Sequence, residues 1–338
     1  MKSPATAASQ RPLHNTVRRI VLGAALWAAA AAAQAQSTAD YPRQPIRMVV
    51  GFAAGGISDV LARAIAAKLS SNLGQTVFVE NKPGAGTTIA GDLVAKAPPD
   101  GYTIWLQDIT THAINATLYP KLPYDSQTDF TPIGLFASTP LMLVVNPASP
   151  AKSVKELTAM LKAEPGKHSY GSSGNGTIIH LTSEMLKATQ SLDAVHVPYK
   201  GSNPATQAIL ANEVAFVFST MPPAVSNAKA GKLRALAVTT PARVAAAPDV
   251  PTMAEAGVPN FDVVLYSGLL GPKGMDPAIV RRLNAELSKA VRSEEIVKVY
   301  ANLGADPIHS SPAAFGEMIG KEIVKYAPIV KSSGARVD

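Results

Sequence analysis

The chain has 338 residues, enough for two domains of ordinary size, and only 16% of them are charged, which is typical of a compact α/β protein. It contains no cysteine, which excludes disulfides, thiolate nucleophiles and cysteine-bound metal centres. The net charge is +7, but the first 35 residues hold four of the 31 basic residues and no acid. The other 27 basic and 24 acidic residues leave +3, so neither a nucleic acid nor an anionic membrane is indicated as a partner.

The first 35 residues have the features of a secretory signal peptide. A basic start that includes Arg18 and Arg19 precedes an apolar run over residues 20–33, and Ala33-Gln34-Ala35 supplies the small residues that signal peptidase recognises. The run is too short to cross the roughly 30 Å hydrocarbon core of a bilayer, and no later stretch is longer and equally apolar. We therefore predict cleavage after Ala35 and export to the periplasm.

Predicted strands and helices alternate from residue 46 onward. The turn-bounded apolar runs predicted as strands are 46–50, 77–80, 103–106, 141–145, 169–170, 195–198, 214–218 and 235–239. The segments with helical periodicity are 58–72, 88–96, 154–163, 178–188, 206–211, 226–230, 277–292, 294–303 and 312–332. The alternation predicts an α/β fold with a mainly parallel sheet, in two lobes that each open with a strand, a glycine loop and a helix.

Two of the glycine loops stand directly before predicted helices, at Ala54–Asp59 and at Ser172–Thr177. The first N–H groups of a helix lack intrahelical partners and carry partial positive charge, and glycine lets a ligand approach the backbone. Such a loop binds an anion without a cationic side chain. If the two lobes face each other, both helix starts are available to a carboxylate ligand.

Asp59 has two interpretations. A carboxylate in the first turn satisfies free N–H groups of its own helix, which is a structural role. Alternatively it holds the loop in shape or meets an amino group of the ligand. The structural role is the one we favour.

Ten segments resemble the Bug family, the substrate-binding components of tripartite tricarboxylate transporters. In chain order they are Tyr41–Arg47, Ala54–Gly56 with Asp59, Val79–Gly86, Pro99–Tyr102, Thr111–Asn115, Lys121–Asp125, Tyr170–Gly174, Val197–Ser202, Ala230–Val238 and Asp249–Gly257. They run through almost all of residues 41–338.

The resemblance implies a two-lobe periplasmic-binding-protein fold (type II, Venus flytrap) with a ligand cleft between the lobes. Lobe 1 is expected at 41–140 plus 262–338 and lobe 2 at 141–261. The implied function is capture of a small carboxylate (a dicarboxylate, hydroxy acid, amino acid or aromatic acid) by lobe closure and delivery to the transporter's membrane subunits. We expect a monomer with no cofactor, no bound metal and no catalytic residues.

The candidate ligand-binding residues come from four loops that we expect to line the cleft, at 52–59, 84–86, 111–112 and 172–177, and from Tyr199 and Ser219 near strand ends. They are Phe52, Ala54, Gly55, Gly56, Ser58, Asp59, Gly84, Ala85, Gly86, Thr111, His112, Ser172, Ser173, Gly174, Asn175, Gly176, Thr177, Tyr199 and Ser219. The chain departs from the family pattern at Gly51, Ala53, Gln107-Asp108 and Ser219-Thr220. An unpaired Asp108 in the cleft would repel a second carboxylate and favour an amine, whereas a hydrogen-bonded Asp108 would have no such effect.

Two other functions remain open from the residues. The same receptor could act as a sensor that presents its closed form to a signalling partner. A serine esterase would use Ser172 or Ser173, because Gly171–Asn175 resembles a nucleophile elbow, although its last position is not glycine. A dinucleotide site at Gly84–Gly86 is disfavoured, because Ile89 stands where a third glycine belongs.

Overall fold

A computed structural model describes residues 40–199 and 201–337. The predicted signal peptide, residues 1–35, lies outside the described residues. The chain divides into two units, residues 1–43 and 44–338, and in the described part of the first unit Arg43 pairs with Asp40. The strands and helices that the structure describes all lie in the second unit. None of these helices combines the length and the apolar character needed to cross a bilayer.

The second unit alternates strands and helices. Its strands are β1 Ile46–Val50, β2 Val77–Asn81, β3 Thr103–Asp108, β4 Phe130–Val145, β5 Ser169–Ser172, β6 Val195–Pro198, β7 Phe216–Thr220, β8 Arg234–Val238, β9 Val264–Pro272 and β10 Asp306–Pro307. Its helices are α1 Ile57–Leu73, α2 Thr88–Ala95, α3 Ile109–Leu118, α4 Val154–Ala163, α5 Ile178–Gln190, α6 Ser202–Leu210, α7 Met221–Lys229, α8 Pro277–Val291, α9 Glu294–Asn302 and α10 Pro312–Ser333, with a 3₁₀ turn at Ala85–Thr87. The sequence-based prediction missed α3, β9, β10 and the first part of β4.

The strands join in the order β2-β1-β3-β9-β4-β7-β5-β6, and β8 and β10 also pair with β4. Pairing is parallel at both ends, where β1 lies between β2 and β3 and β5 lies between β6 and β7. The middle is antiparallel, because β9 pairs with β3 and β4, and β4 pairs with β7 and β8. The predicted mainly parallel sheet is therefore wrong for the middle, where long strands carry the chain between the two halves.

The chain crosses between the two halves at two points that lie side by side. Within β4, residues 130–140 pair with β9, whereas 141–144 pair with β7. Thr239 connects the crossings, since its hydroxyl accepts from Leu141 N–H at 2.9 Å and donates to the Val263 carbonyl at 2.6 Å. The hydroxyl thus bridges the segment that leaves the first half and the segment that returns to it.

Each half has its own core, and α10 contributes to both. Trp105 and Phe315 belong to the core of the first half, and Tyr170 to the core of the second. Phe315 lies near the start of α10, whereas Tyr326, further along the same helix, packs in the second core. Burying a large apolar side chain stabilises the fold by roughly 1.5–3 kcal/mol. Because α10 buries such side chains in both cores, it links the two halves.

Candidate ligand-binding site

The first glycine loop, residues 51–56, joins β1 to α1 and is braced by Asp59. The Asp59 carboxylate accepts from Gly55 N–H at 2.9 Å, from Arg63 Nε at 3.0 Å and from Asn81 Nδ2 at 2.9 Å. Asn81 also donates to the Phe52 carbonyl at 3.0 Å. Burial raises the pKa of Asp59, but the bonds from Arg63, Gly55 and Asn81 outweigh it and hold that pKa below its usual value. Asp59 therefore holds the loop in shape, and its oxygens are occupied by protein donors. The favoured capping role is wrong, because the helix has no side-chain cap and the N–H group that Asp59 binds belongs to Gly55, which precedes it.

Helix α1 begins at this loop without a side-chain cap. Gly56 occupies the N-cap position with φ −75° and ψ 167°. Ala54 and Gly55 are exposed, and Gly55 has φ +80°, a conformation that favours glycine. Ser58 lies in the first turn, is largely buried, and makes no hydrogen bond through its hydroxyl to another described residue. The first-turn N–H groups and the helix dipole thus face an exposed loop, which is the arrangement that binds anions.

The second glycine segment, Gly84–Thr87, lies against the first. Four consecutive residues have positive φ: 134° at Gly84, 45° at Ala85, 60° at Gly86 and 77° at Thr87. For Ala85 and Thr87 this conformation costs roughly 1–2 kcal/mol each, so it persists only where contacts enforce it. The Thr87 hydroxyl accepts from Gln107 Nε2 at 2.7 Å.

Gly51 makes this close approach between the two segments possible. A Cβ built on Gly51 would lie 2.6 Å from Thr87 Cβ, which is far inside contact distance. The absence of a side chain at Gly51 thus lets the two loops touch.

Helix α3 connects the glycine loops of the two halves. Asn115 Nδ2 donates to the Gly86 carbonyl at 2.6 Å. Three residues later, Leu118 packs on Gly176, since a Cβ on that glycine would lie 2.0 Å from Leu118 Cδ2. The predicted loop at 111–112 is wrong, because Thr111 and His112 both lie inside this helix.

His112 is a core residue. Its ring is completely buried among aromatic side chains that include Trp105, Tyr124 and Phe130. His112 Nε2 lies 2.7 Å from the Ser126 carbonyl oxygen, and burial lowers the pKa of His112 to about 4. This position removes His112 from the candidate ligand contacts.

Asp108 is the N-cap of α3. One of its carboxylate oxygens accepts from Thr110 N–H at 2.9 Å and from Thr111 N–H at 3.1 Å. Desolvation raises the pKa of Asp108 to about 6 despite these bonds. Of the two interpretations, the hydrogen-bonded acid is therefore the one found.

The third glycine loop, Ser172–Thr177, is held by bonds of its own. The Ser172 hydroxyl donates to the Gly174 carbonyl and accepts from Gly174 N–H, both at 3.1 Å. Thr177 caps α5 by accepting from His180 N–H, and Gly176 N–H donates to His180 Nδ1 at 3.1 Å. The two helix starts are thus not equivalent, because α5 has a side-chain cap and α1 has none.

The remaining candidates of this half differ in access. Asn175 is exposed and Ser173 is half-buried, and neither side chain makes a hydrogen bond to another described residue. Tyr199 donates its hydroxyl to Glu213 at 3.3 Å. Ser219 is buried, and its hydroxyl lies 3.2 Å from Thr206 Oγ1.

Sequence reasoning missed the start of α6. Gly201 is its N-cap and supplies no side-chain cap. Gly201 N–H donates to the Ser173 carbonyl at 3.2 Å, and Tyr199 N–H donates to the Ser172 carbonyl at 2.9 Å, so α6 begins beside the third glycine loop. The signal was available, because Gly201-Ser202 stands between a predicted strand and a predicted helix, as Gly55-Gly56 does.

Ser172 also lies next to a histidine. Its hydroxyl oxygen is 2.6 Å from His196 Nε2, which is the distance expected of a nucleophile and its general base. Ser172 is completely buried, however. Glu184, the nearby acid, pairs with the Tyr170 hydroxyl and with Lys187.

The chain is similar to known proteins in sequence and in fold. The model of the tripartite tricarboxylate transporter family receptor matches residues 61–335. The protein BugT of Bordetella pertussis is 36% identical over 324 residues, which cover 96% of this chain and 99% of BugT. The resemblance to the Bug family is thereby confirmed.

Two solved structures from Rhodopseudomonas palustris are similar over most of the chain. One, solved with adipate, has a TM-score of 0.82 at 34% identity and covers 88% of this chain and 100% of its own. MatC, solved with bound malate, has a TM-score of 0.78 at 32% identity and covers 86% and 100%. The predicted two-lobe periplasmic-binding-protein fold is confirmed by these similarities.

Proposed function

Since the chain belongs to the tripartite tricarboxylate transporter receptor family, we propose that it captures a small dicarboxylate between its lobes and delivers it to the membrane subunits of such a transporter. The observation that carries the proposal is the start of α1. It combines an uncapped first turn, exposed glycine backbone and a loop braced from behind by Asp59. Malate and adipate, the ligands of two related structures, both carry two carboxylates.

One ligand carboxylate binds at α1 in this proposal. The first-turn N–H groups of α1, near Gly56 and Ser58, contact its oxygens, and the Ser58 hydroxyl adds a donor. Asp59 repels the anion little, because Arg63 and Asn81 neutralise and occupy its oxygens. The exposed segment Gly84–Gly86 forms the adjacent wall.

The other end of the ligand contacts the second lobe. Ser173 and Asn175 supply side-chain groups, and the uncapped start of α6 at Gly201 supplies N–H groups beside them. The lobes we propose are 41–140 with 262–338 and 141–261. The change of β4 partners near Pro140 and the position of Thr239 at both crossings support this division. Closure about these crossings buries the ligand and creates the form that the transporter recognises.

The proposed location is the periplasm, after removal of a signal peptide at residues 1–35. The basic start, the apolar run and the Ala33-Gln34-Ala35 site support export. Membership in a family of periplasmic receptors supports the same location.

An esterase is the second candidate, favoured by the 2.6 Å distance from Ser172 Oγ to His196 Nε2. Two observations argue against it. Ser172 is completely buried, and Glu184 is paired with Tyr170 and Lys187. Hydrolysis of a p-nitrophenyl ester that disappears in Ser172→Ala would support the esterase over the receptor.

The test of the receptor is a thermal-shift screen of the purified protein after unfolding and refolding to remove co-purified ligand. The panel contains malate, adipate, other dicarboxylates, hydroxy acids, amino acids and aromatic acids, each with its amide as control. A ligand at 100 times its Kd stabilises a protein by about 2.7 kcal/mol, so a true ligand raises Tm clearly. We expect a dicarboxylate to raise Tm and its diamide to have no effect. Equal shifts with acid and amide would overturn the anion site.

A further inference from the structure

Two histidines stack directly behind the third glycine loop. The rings of His180, on α5, and His196, on β6, have centroids 3.9 Å apart and planes inclined by 6°. Tyr170 of β5 continues the stack, with its centroid 5.0 Å from that of His196. His180 is only 3% exposed. The mechanism of ligand capture described above uses neither ring.

Each imidazole holds one end of the loop. His180 Nδ1 accepts from Gly176 N–H at 3.1 Å, and His196 Nε2 lies 2.6 Å from the Ser172 hydroxyl oxygen. Ser172 in turn bonds both the N–H and the carbonyl of Gly174. The stack therefore links Ser172, the first residue of the loop, to Gly176, which packs against Leu118.

We propose that His180 and His196 are positioning residues for ligand binding: the stacked pair fixes Ser172 and Gly176 so that Ser173 and Asn175, between them, present their side chains to the ligand. This inference rests on the proposed receptor function. An apolar stack would fill the same space, but it would supply no atom to either end of the loop. Because Gly176 N–H donates to Nδ1, the proton of neutral His180 is on Nε2.

Burial keeps both rings neutral at neutral pH, although the nearby Glu184 carboxylate raises the pKa of His196 in opposition to it. Burial lowers the pKa of His180 and that of His196 to about 4 in each case, and Lys187 acts in the same direction. Lys187 lies 5.5 Å from the centroid of the Tyr170 ring and pairs with Glu184 at 2.8 Å. A proton on His180 Nδ1 would replace the acceptor of Gly176 N–H with a donor, so the loop needs the neutral ring.

Side chains that copy one nitrogen separate positioning from packing. In His180→Asn the amide oxygen takes the place of Nδ1, and in His196→Gln the end of the amide takes the place of Nε2, although both changes remove the stack. In His180→Phe and His196→Phe the stack remains and the nitrogen is lost. Tyr170→Phe is the matched control, because it keeps the ring and removes only the bond to Glu184.

The measurement is amide hydrogen exchange of residues 172–177 in the ligand-free protein at pH 7, expressed as protection factors. We expect the protection factors of the Phe variants to fall roughly five- to tenfold, which corresponds to the loss of one hydrogen bond. The Asn and Gln variants and Tyr170→Phe should keep wild-type protection. If both Phe variants keep full protection while the Asn and Gln variants lose it, the two histidines act only by packing. That result would overturn the proposal.

Binding is measured in parallel with malate and adipate as probes, using variants whose melting shows that they are folded. Affinity for the probe that binds wild type should fall in the Phe variants and return in the Asn and Gln variants. Unchanged affinity in Phe variants that have lost protection would also overturn the positioning role. If neither probe nor any other acid of the panel binds wild type, the receptor proposal fails, while the exchange data still decide whether the histidines hold the loop.

Discussion

Leu118 fills the space beside Gly176 so completely that a Cβ on the glycine would lie 2.0 Å from the leucine Cδ2. This contact joins the end of α3, which also bonds Gly86 through Asn115, to the third glycine loop. Helix α3 therefore sets the distance between loops that belong to different proposed lobes. A change at this contact should alter both stability and ligand affinity.

Gly176→Ala should destabilise the protein by about 1–3 kcal/mol through overpacking, plus roughly 1–2 kcal/mol because Gly176 has φ +69°. Leu118→Ala alone should cost about 2–5 kcal/mol. In the double variant the overpacking disappears, so its cost should be less than the sum of the two. Urea unfolding of the four proteins measures this coupling.

Gly231→Ala is the matched control, because Gly231 has φ +68° and no atom within 4 Å of its built Cβ. It carries the backbone strain without the clash. Strictly additive costs in the Gly176 and Leu118 variants would show that the contact is not tight in solution.

Gly56→Ala should weaken carboxylate binding and leave folding nearly unchanged. Gly56 has φ −75°, which alanine adopts easily, and the nearest atom to its built Cβ is the Ala53 carbonyl oxygen at 3.4 Å. The methyl group would stand at the uncapped start of α1. Gly55→Val is a less suitable test, because φ +80° at Gly55 would add backbone strain.

Titration with the acid found in the thermal-shift screen measures the affinity of Gly56→Ala, and the Tm of the ligand-free variant reports folding. We expect a loss of roughly tenfold or more in affinity, as for a lost charge-assisted hydrogen bond of about 1.5 kcal/mol. Wild-type affinity in this variant would exclude the start of α1 as the carboxylate site.

Local patterns in the sequence were sufficient for much of this site. The periodicity of α1, its end at Gly74 and the glycine loop before it are all local features, and the structure has each of them. Helix α3 was missed because Thr110 and Thr111 have low helix propensity, and its start depends on the Asp108 cap. Pro132 and Pro140 obscured the first part of β4, since proline is unusual inside strands.

Contacts between distant segments were beyond local patterns. His180 and His196 come together only because α5 packs on β5 and β7 while β6 pairs with β5, and a buried histidine cannot be recognised from its neighbours in sequence. The same holds for Thr239, which bonds both crossing segments. The antiparallel direction of β9 likewise follows from chain crossings, which depend on the whole fold.

Because His112 binds a proton more readily in the unfolded chain, the folded protein should become less stable as the pH falls from 6.5 to 4. Burial lowers its pKa to about 4 in the folded protein, whereas the unfolded chain binds the proton near pH 6.5. The stabilising contribution is therefore present above pH 6.5 and is lost as pH falls toward 4, by up to about 3 kcal/mol. Urea midpoints between pH 7 and pH 4 measure this slope.

The control is His112→Gln, which retains a group able to bond the Ser126 carbonyl and does not titrate. Its stability should change less over the same pH range than that of wild type. Parallel pH profiles for the two proteins would contradict the buried, neutral state of His112.

Asp108 should act with the opposite sign. Its folded pKa is raised to about 6, above the value of 3.8 for a free aspartate, because desolvation disfavours its charge. The folded protein is therefore destabilised above pH 6, and this destabilisation disappears as pH falls below 4.

Asp108→Asn keeps a helix-capping side chain and removes the charge, so it should be more stable than wild type at pH 7 by up to about 3 kcal/mol. The difference should shrink toward zero at pH 3.5, as followed by urea unfolding at both pH values. A variant less stable than wild type at pH 7 would show that the carboxylate is needed in its charged form, as a charge-assisted cap of α3.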